Sequence, residues 1–164
     1  MIDAAILLHN IRSAHNVGSI FRTADGAGFT KIYCAGVTPT PLDRFGNVRP
    51  DFAKVALGAE KGLPWEKAAR ISTAIKRLKK EGFKIFAVEQ AKNSYPYWKM
   101  RERLPAKMAF VMGNEVDGLP PSILALADKV LDIPMHGRKE SLNVSVAFGI
   151  IAFHFAAAGM AKVQ

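Results

Sequence analysis

Apolar residues gather in short runs at 2–8, 31–35, 83–88, 108–112 and 130–133, each of strand length. Between these runs the period changes. Val17, Ile20, Phe21 and Ala24 fall at i, i+3, i+4 and i+7, one face of a helix with Asn16 as its expected cap. Further helical patterns cover 51–57, 68–80 (ended by Gly82), 121–127 with Pro121 in its first turn, and 142–158. Strands alternating with helices predict an α/β fold, a mostly parallel sheet with helices on both faces. No repeat, low-complexity tract or linker divides the chain, so residues 1–164 read as one domain. Two stretches, 36–50 and 90–105, resist assignment, and loops that long in a compact domain are usually functional.

The run 141–161 carries no charged residue and reaches the length of a membrane span. Two readings compete, a membrane anchor and a helix buried on every side. Asn143, Ser145 and His154 lie within the run, and Ala, Gly and Ser fill much of the rest. That composition favours burial, and in a chain this small complete burial calls for a second copy. A homodimer without membrane contact is therefore expected.

The 164 residues are 49% hydrophobic and 23% charged, an ordinary globular mixture. The net charge of +9 changes the picture, because such an excess points to a polyanionic partner: RNA, DNA or an acidic membrane. The single cysteine, Cys34, rules out an intrachain disulfide and reads as a buried strand thiol rather than a nucleophile. No signal peptide is visible at the N-terminus, so a cytoplasmic location is expected. His9, His15, His136 and His154 lack metal-ligand spacing, and no metal site is expected. Dinucleotide-binding, Walker and nucleophile-elbow motifs are absent.

Three constellations carry candidate chemistry. In N-V-G-S-I-F-R-T-A-D (16–25), Gly18, Arg22 and Asp25 share one helix face opposite the apolar stripe. Gly18 would clear space beside Arg22 and Asp25 would orient its guanidinium, as a bidentate phosphate grip requires. The alternative is a solvated face with an i,i+3 ion pair. In M-G-N-E-V-D-G-L-P (112–120), Gly113 admits close backbone approach, and Asn114 and Glu115 stand at a strand's carboxyl end. The alternative is a plain turn. In I-P-M-H-G-R-K-E-S-L-N (133–143), Pro134 stops a strand and a polar, basic loop leads to Ser141, the expected N-cap of the last helix. Tyr95, Tyr97 and Trp98, interleaved with Lys99, Arg101 and Arg103, read either as a stacking surface for single-stranded RNA or as aromatics buried under a loop or dimer contact. Arg12, Arg138 and Lys139 join them as candidate RNA contacts. Lys76, Arg77, Lys79 and Lys80 read as the wet face of their helix.

Together, in this order, the three constellations resemble the motifs of the SPOUT superfamily, in its SpoU/TrmH branch of RNA ribose 2′-O-methyltransferases. The likeness spans almost the whole chain. It implies an α/β fold whose C-terminal segment is threaded into a deep trefoil knot. It implies S-adenosyl-L-methionine (AdoMet) held by Gly113, Ile133, Met135, Ser141 and Leu142, with Val88 and Glu89 as another wall. Asn16, Arg22, Glu115 and Asn143 match the family's catalytic and substrate-side positions. Whether Arg22 serves as base or as electrostatic stabiliser stays open, since a guanidinium is effectively always protonated. The last helix would pair with its copy. The chain resembles a minimal catalytic domain without an N-terminal RNA-binding extension, which points to tRNA ahead of rRNA. A non-catalytic RNA-binding protein of the same fold is the rival expectation.

Overall fold

The computed structural model describes residues 3–100 and 104–160. Its strands are β1 (Asp3–His9), β2 (Lys31–Ala35), β3 (Trp65–Ala68), β4 (Lys84–Val88), β5 (Tyr95–Pro96), β6 (Lys107–Met112) and β7 (Lys129–Asp132). All seven pair in parallel, in the order β3-β2-β1-β6-β4-β7-β5. Helices α1 (Ala14–Gly26), α2 (Pro50–Ala56), α3 (Ala59–Gly62) and α6 (Val144–Met160) cover one face. The other carries α4 (Ile71–Lys80) and α5 (Pro121–Leu124).

The central strands show why their sequences are continuously apolar. In β1, Ala4, Ile6 and Leu8 enter the core beneath α1 and α6, while Ala5 and Leu7 enter the core beneath α4. β6 divides its residues the same way, Met108, Phe110 and Met112 against Ala109 and Val111. Side chains alternate with period two, and both faces are covered. Aromatic contacts seat α6 over the middle of the sheet: Phe148 lies 5.2 Å from Phe29, and Phe155 4.9 Å from Phe110, between ring centroids.

Several expectations need correction. Trp65–Ala68 is a strand, and the helix expected from residue 68 begins at Ile71. Ala68 pairs with Ala35 instead, and the charged pair Glu66-Lys67 suits an edge strand that must not pair with another chain. The 90–105 stretch contains β5, where Pro96 is tolerated because the strand lies at the opposite edge. Ser13, not Asn16, caps α1; its Oγ accepts from Asn16 N at 3.2 Å. Asn143, not Ser141, caps α6; its Oδ1 accepts from Ser145 N at 2.9 Å. Gly18 is buried, and it makes room for α2 rather than for Arg22. A Cβ there would sit 3.0 Å from Phe52 O and 3.3 Å from Val55 Cβ.

The burial expected of Cys34 is met, and burial pushes its thiol up to about 12, with Lys67 opposing in part. At pH 8 the native thiol is protonated as well as covered. A disulfide reagent should therefore leave Cys34 unmodified until denaturant is added, and then react once per chain. Rapid labelling of the native protein would contradict this packing.

Among the described residues, no helix is long and apolar enough to cross a membrane. α6 buries Val144, Phe148, Ile151 and Phe155 against the sheet, yet leaves Val146 51% and Phe153 54% exposed.

Candidate active site

The carboxyl ends of β4, β6 and β7 stand side by side, and α6 returns past them. A cavity of about 350 Å³ opens there. It is lined by Val88 and Glu89 at the end of β4, by Gly113 after β6, by Ile133 and Met135 after β7, and by Ser141 and Leu142 on the approach to α6. These are the residues the family resemblance assigned to the cofactor. Gln90, Gly118, Val144 and Ala147, not expected from the sequence, line the cavity as well. The Asp117-Gly118 pair was a visible turn signal; the others give no local sign.

Local chemistry explains the shape. The backbone at Gly113 runs against the next loop so closely that a Cβ would lie 2.6 Å from Gly118 O and 2.7 Å from Leu119 N. Between these points Asn114 folds a tight turn, its Oδ1 accepting from Val116 N at 2.8 Å and Asp117 N at 2.7 Å. Gly118 closes the turn at φ +64°, a conformation that favours glycine. Glu89 fixes the far side. Its carboxylate accepts from Leu119 N at 2.8 Å and from Gln90 N at 2.9 Å. The wall sets apolar side chains such as Val88, Ile133 and Leu142 beside the polar Gln90, Glu115, Glu140 and Ser141, so it can take a ligand with both an apolar body and polar groups.

Three distant residues of the three motifs meet at the cavity mouth. Asn16 Nδ2 donates to Glu115 Oε1 at 2.7 Å, and Asn143 Nδ2 donates to Asn16 Oδ1 at 3.1 Å. Because Ser13 takes over capping, the Asn16 side chain is free to join this chain of bonds. Asn143 both caps α6 and holds Asn16. Arg22 is not brought there. It follows Asn16 by roughly 9 Å along the α1 axis, is exposed, and does not line the cavity. Among the described residues it forms no ion pair with Asp25.

The expected RNA contacts divide. Arg12, Arg138 and Lys139 are exposed, and the last two border a second hollow with Ser94 and Asp132 beside the cavity. Trp98 and Lys99 reach the surface. Tyr95 and Tyr97 are half-buried against the core, with Tyr97 4.9 Å from His154 between ring centroids. Arg101 and Arg103 lie outside the described residues. Among the described residues, no group of three or more His, Cys, Asp or Glu could hold a metal ion.

Comparison with known proteins converges on one family. The sequence profile of the SpoU rRNA methylase family matches residues 3–153. A 23S rRNA (guanosine-2′-O-)-methyltransferase of Neisseria meningitidis is 32% identical over 89% of this chain and 55% of its own length. A tRNA (guanosine(18)-2′-O)-methyltransferase of Aquifex aeolicus is 31% identical over 92% of this chain and 67% of its own. The chain thus spans little more than half of the first relative. An rRNA methyltransferase from Sinorhizobium meliloti, solved with AdoMet bound, superposes with a TM-score of 0.84. It is 28% identical, over 96% of this chain and 57% of that one.

Proposed function

We propose, from the premise that this chain belongs to the SpoU rRNA methylase family, that it transfers a methyl group from AdoMet to a ribose 2′-hydroxyl of RNA. The observation that carries the reading is the cavity behind Gly113 with the Asn16–Glu115–Asn143 cluster at its mouth. Relatives that methylate ribose in tRNA and in 23S rRNA support it, as does the net charge of +9. Transfer RNA is the substrate class we propose, with ribosomal RNA as the alternative outcome of the test. The cytoplasm is the proposed location.

The residues present fit AdoMet. The cradle at Gly113 is one that a Cβ would fill, and Ile133, Met135, Leu142 and Val88 supply apolar walls. Gly113, Ile133, Met135, Ser141 and Leu142 would hold the cofactor, largely through backbone groups. AdoMet, when bound, supplies an electrophilic methyl group. Asn16, Glu115 and Asn143 lock one another and present a fixed donor and acceptor edge to the ribose. Arg22 holds the hydroxyl and its neighbouring phosphate and stabilises the alkoxide as the proton leaves for phosphate or water.

The distance of Arg22 from its own cavity is consistent with a homodimer. Val146 and Phe153 form an uncovered apolar stripe on α6, and Phe153 lies beside Gly26 of α1. Arg22 shares that outer surface. Pairing through the stripe would cover it and carry Arg22 towards the partner's cavity. We expect Phe153→Asp to yield monomer or insoluble protein by sedimentation, where the native chain is a dimer. A Phe153→Asp protein that stays dimeric removes α6 from the interface.

We also propose the trefoil knot. β7 lies between β4 and β5, and the Tyr97 ring, which follows β5, packs against His154 of α6. This arrangement supports threading of the final segment through the loop between β4 and β6.

The function is tested by incubating the protein with methyl-labelled AdoMet and unmodified total RNA, then digesting to nucleosides. Label in a 2′-O-methyl nucleoside of the tRNA fraction is expected. Label confined to a base sinks the reading, and label in the large rRNA alone replaces the substrate class.

A further inference from the structure

The 36–50 segment contributes nothing to the cavity, yet it is a built structure. Thr38 is fully buried at its root; the hydroxyl donates to Leu8 O at 3.0 Å and accepts from Ile11 N at 3.1 Å. Lys67 Nζ donates to Gly36 O at 2.6 Å and Thr38 O at 2.7 Å. Further out, Leu42 and Val48 form an antiparallel bridge. Asp43 Oδ1 accepts from Phe45 N at 2.8 Å and Asn47 N at 2.9 Å, and Gly46 completes the turn at φ +83°. The tip so fixed carries Phe45, 74% exposed, with the Arg44 guanidinium 4.6 Å from its ring centroid.

Three features indicate what this ring meets. One side of the ring carries a cation and most of the remainder faces solvent, so a planar group can stack on it. The hollow beside the turn is lined by Arg44, Arg49 and Lys67, with Asp43 as its acid. The turn rises from the carboxyl end of β2, and β2, β1 and β6 are neighbours. Its root is therefore two strand spacings, roughly 10 Å, from β6, which ends just before Gly113. The turn and the cavity share one edge of the sheet.

We infer that Phe45 and Arg44 form a stacking platform for an unpaired base of the substrate RNA, a few nucleotides from the methylated ribose. The inference rests on the RNA reading above. Arg44 pairs with the adjacent phosphate while the ring takes the base. A copy of this chain is the less suitable occupant, because the turn is charged and the apolar stripe of α6 already offers a surface for self-association.

The test uses the full chain and its Phe45→Ala and Phe45→Trp variants. The probes are a single-stranded oligoribonucleotide, the same sequence as a duplex, and unmodified bulk tRNA. Phe45→Ala should weaken binding of the single strand about tenfold and raise KM for tRNA, with AdoMet affinity, kcat and sedimentation unchanged. Phe45→Trp should restore binding, and its added fluorescence should be quenched by the single strand but not by the duplex. Binding within about twofold of native in Phe45→Ala overturns the platform. So does a change in its sedimentation, which would assign the turn to a contact between copies. A native chain that binds no RNA overturns the platform together with the RNA reading. A native chain that methylates RNA with the same KM as Phe45→Ala overturns the platform alone.

Discussion

Replacing Gly113 with alanine should sharply weaken AdoMet binding while leaving the sheet intact. The added methyl would stand 2.6 Å from Gly118 O and 2.7 Å from Leu119 N, both backbone atoms in a loop tied down by Glu89. No side chain can rotate out of the way, so the 113–119 loop must shift, at a cost of about 1–3 kcal/mol in stability. That loop forms one wall of the cavity. The affinity for AdoMet should fall at least about a hundredfold, roughly 3 kcal/mol, by calorimetry. Gly137→Ala is the matched control, since a Cβ there meets nothing within 4 Å. Gly113→Ala binding AdoMet as the native protein does would move the cofactor site elsewhere.

Arg22→Lys should lower kcat by about a hundredfold or more and leave AdoMet affinity unchanged, because Arg22 lies outside the cavity. Lysine keeps the charge but loses the planar fork that can hold a hydroxyl and a phosphate together. Near-native turnover at saturating RNA would remove Arg22 from the proposed chemistry. A mixing experiment then locates its action. Co-expressed Arg22→Ala and Gly113→Ala chains are each expected to be inactive alone. If Arg22 serves the partner's cavity, the mixed dimer has one complete site and regains activity. If it serves its own, the mixed dimer stays dead.

The residues that the family resemblance assigns to the cofactor line one cavity, but some of its parts are held differently from what the sequence suggests. Gly113 and Ile133 line the cavity because each follows an apolar strand, and in a parallel sheet such carboxyl ends converge, whereas Leu142 reaches it from the loop before α6. Ser141 and Asn16 were misread as caps because a Ser or Asn before a helical pattern cannot reveal which residue holds the cap geometry. That correction reaches the site: with Ser13 on α1 and Asn143 on α6 as caps, Asn16 is free to bridge Glu115 and Asn143. Gly18 was a spacing argument on a single helix, and a single helix cannot show that α2 lies against it.

The division has a physical basis. Periodicity, turn chemistry and net charge are local or additive, so the chain alone determined an α/β fold, most of its strands and helices, a buried Cys34 and an excess of +9. The order of strands in the sheet depends on long-range pairing that no short window encodes. That order decided that β4, β6 and β7 end side by side, that Trp65–Ala68 pairs as an edge strand, and that Asn16 meets Glu115 and Asn143. It also set Arg22 apart from the cavity and left Phe153 uncovered, because which side of a helix faces solvent is fixed only once its neighbours are in place.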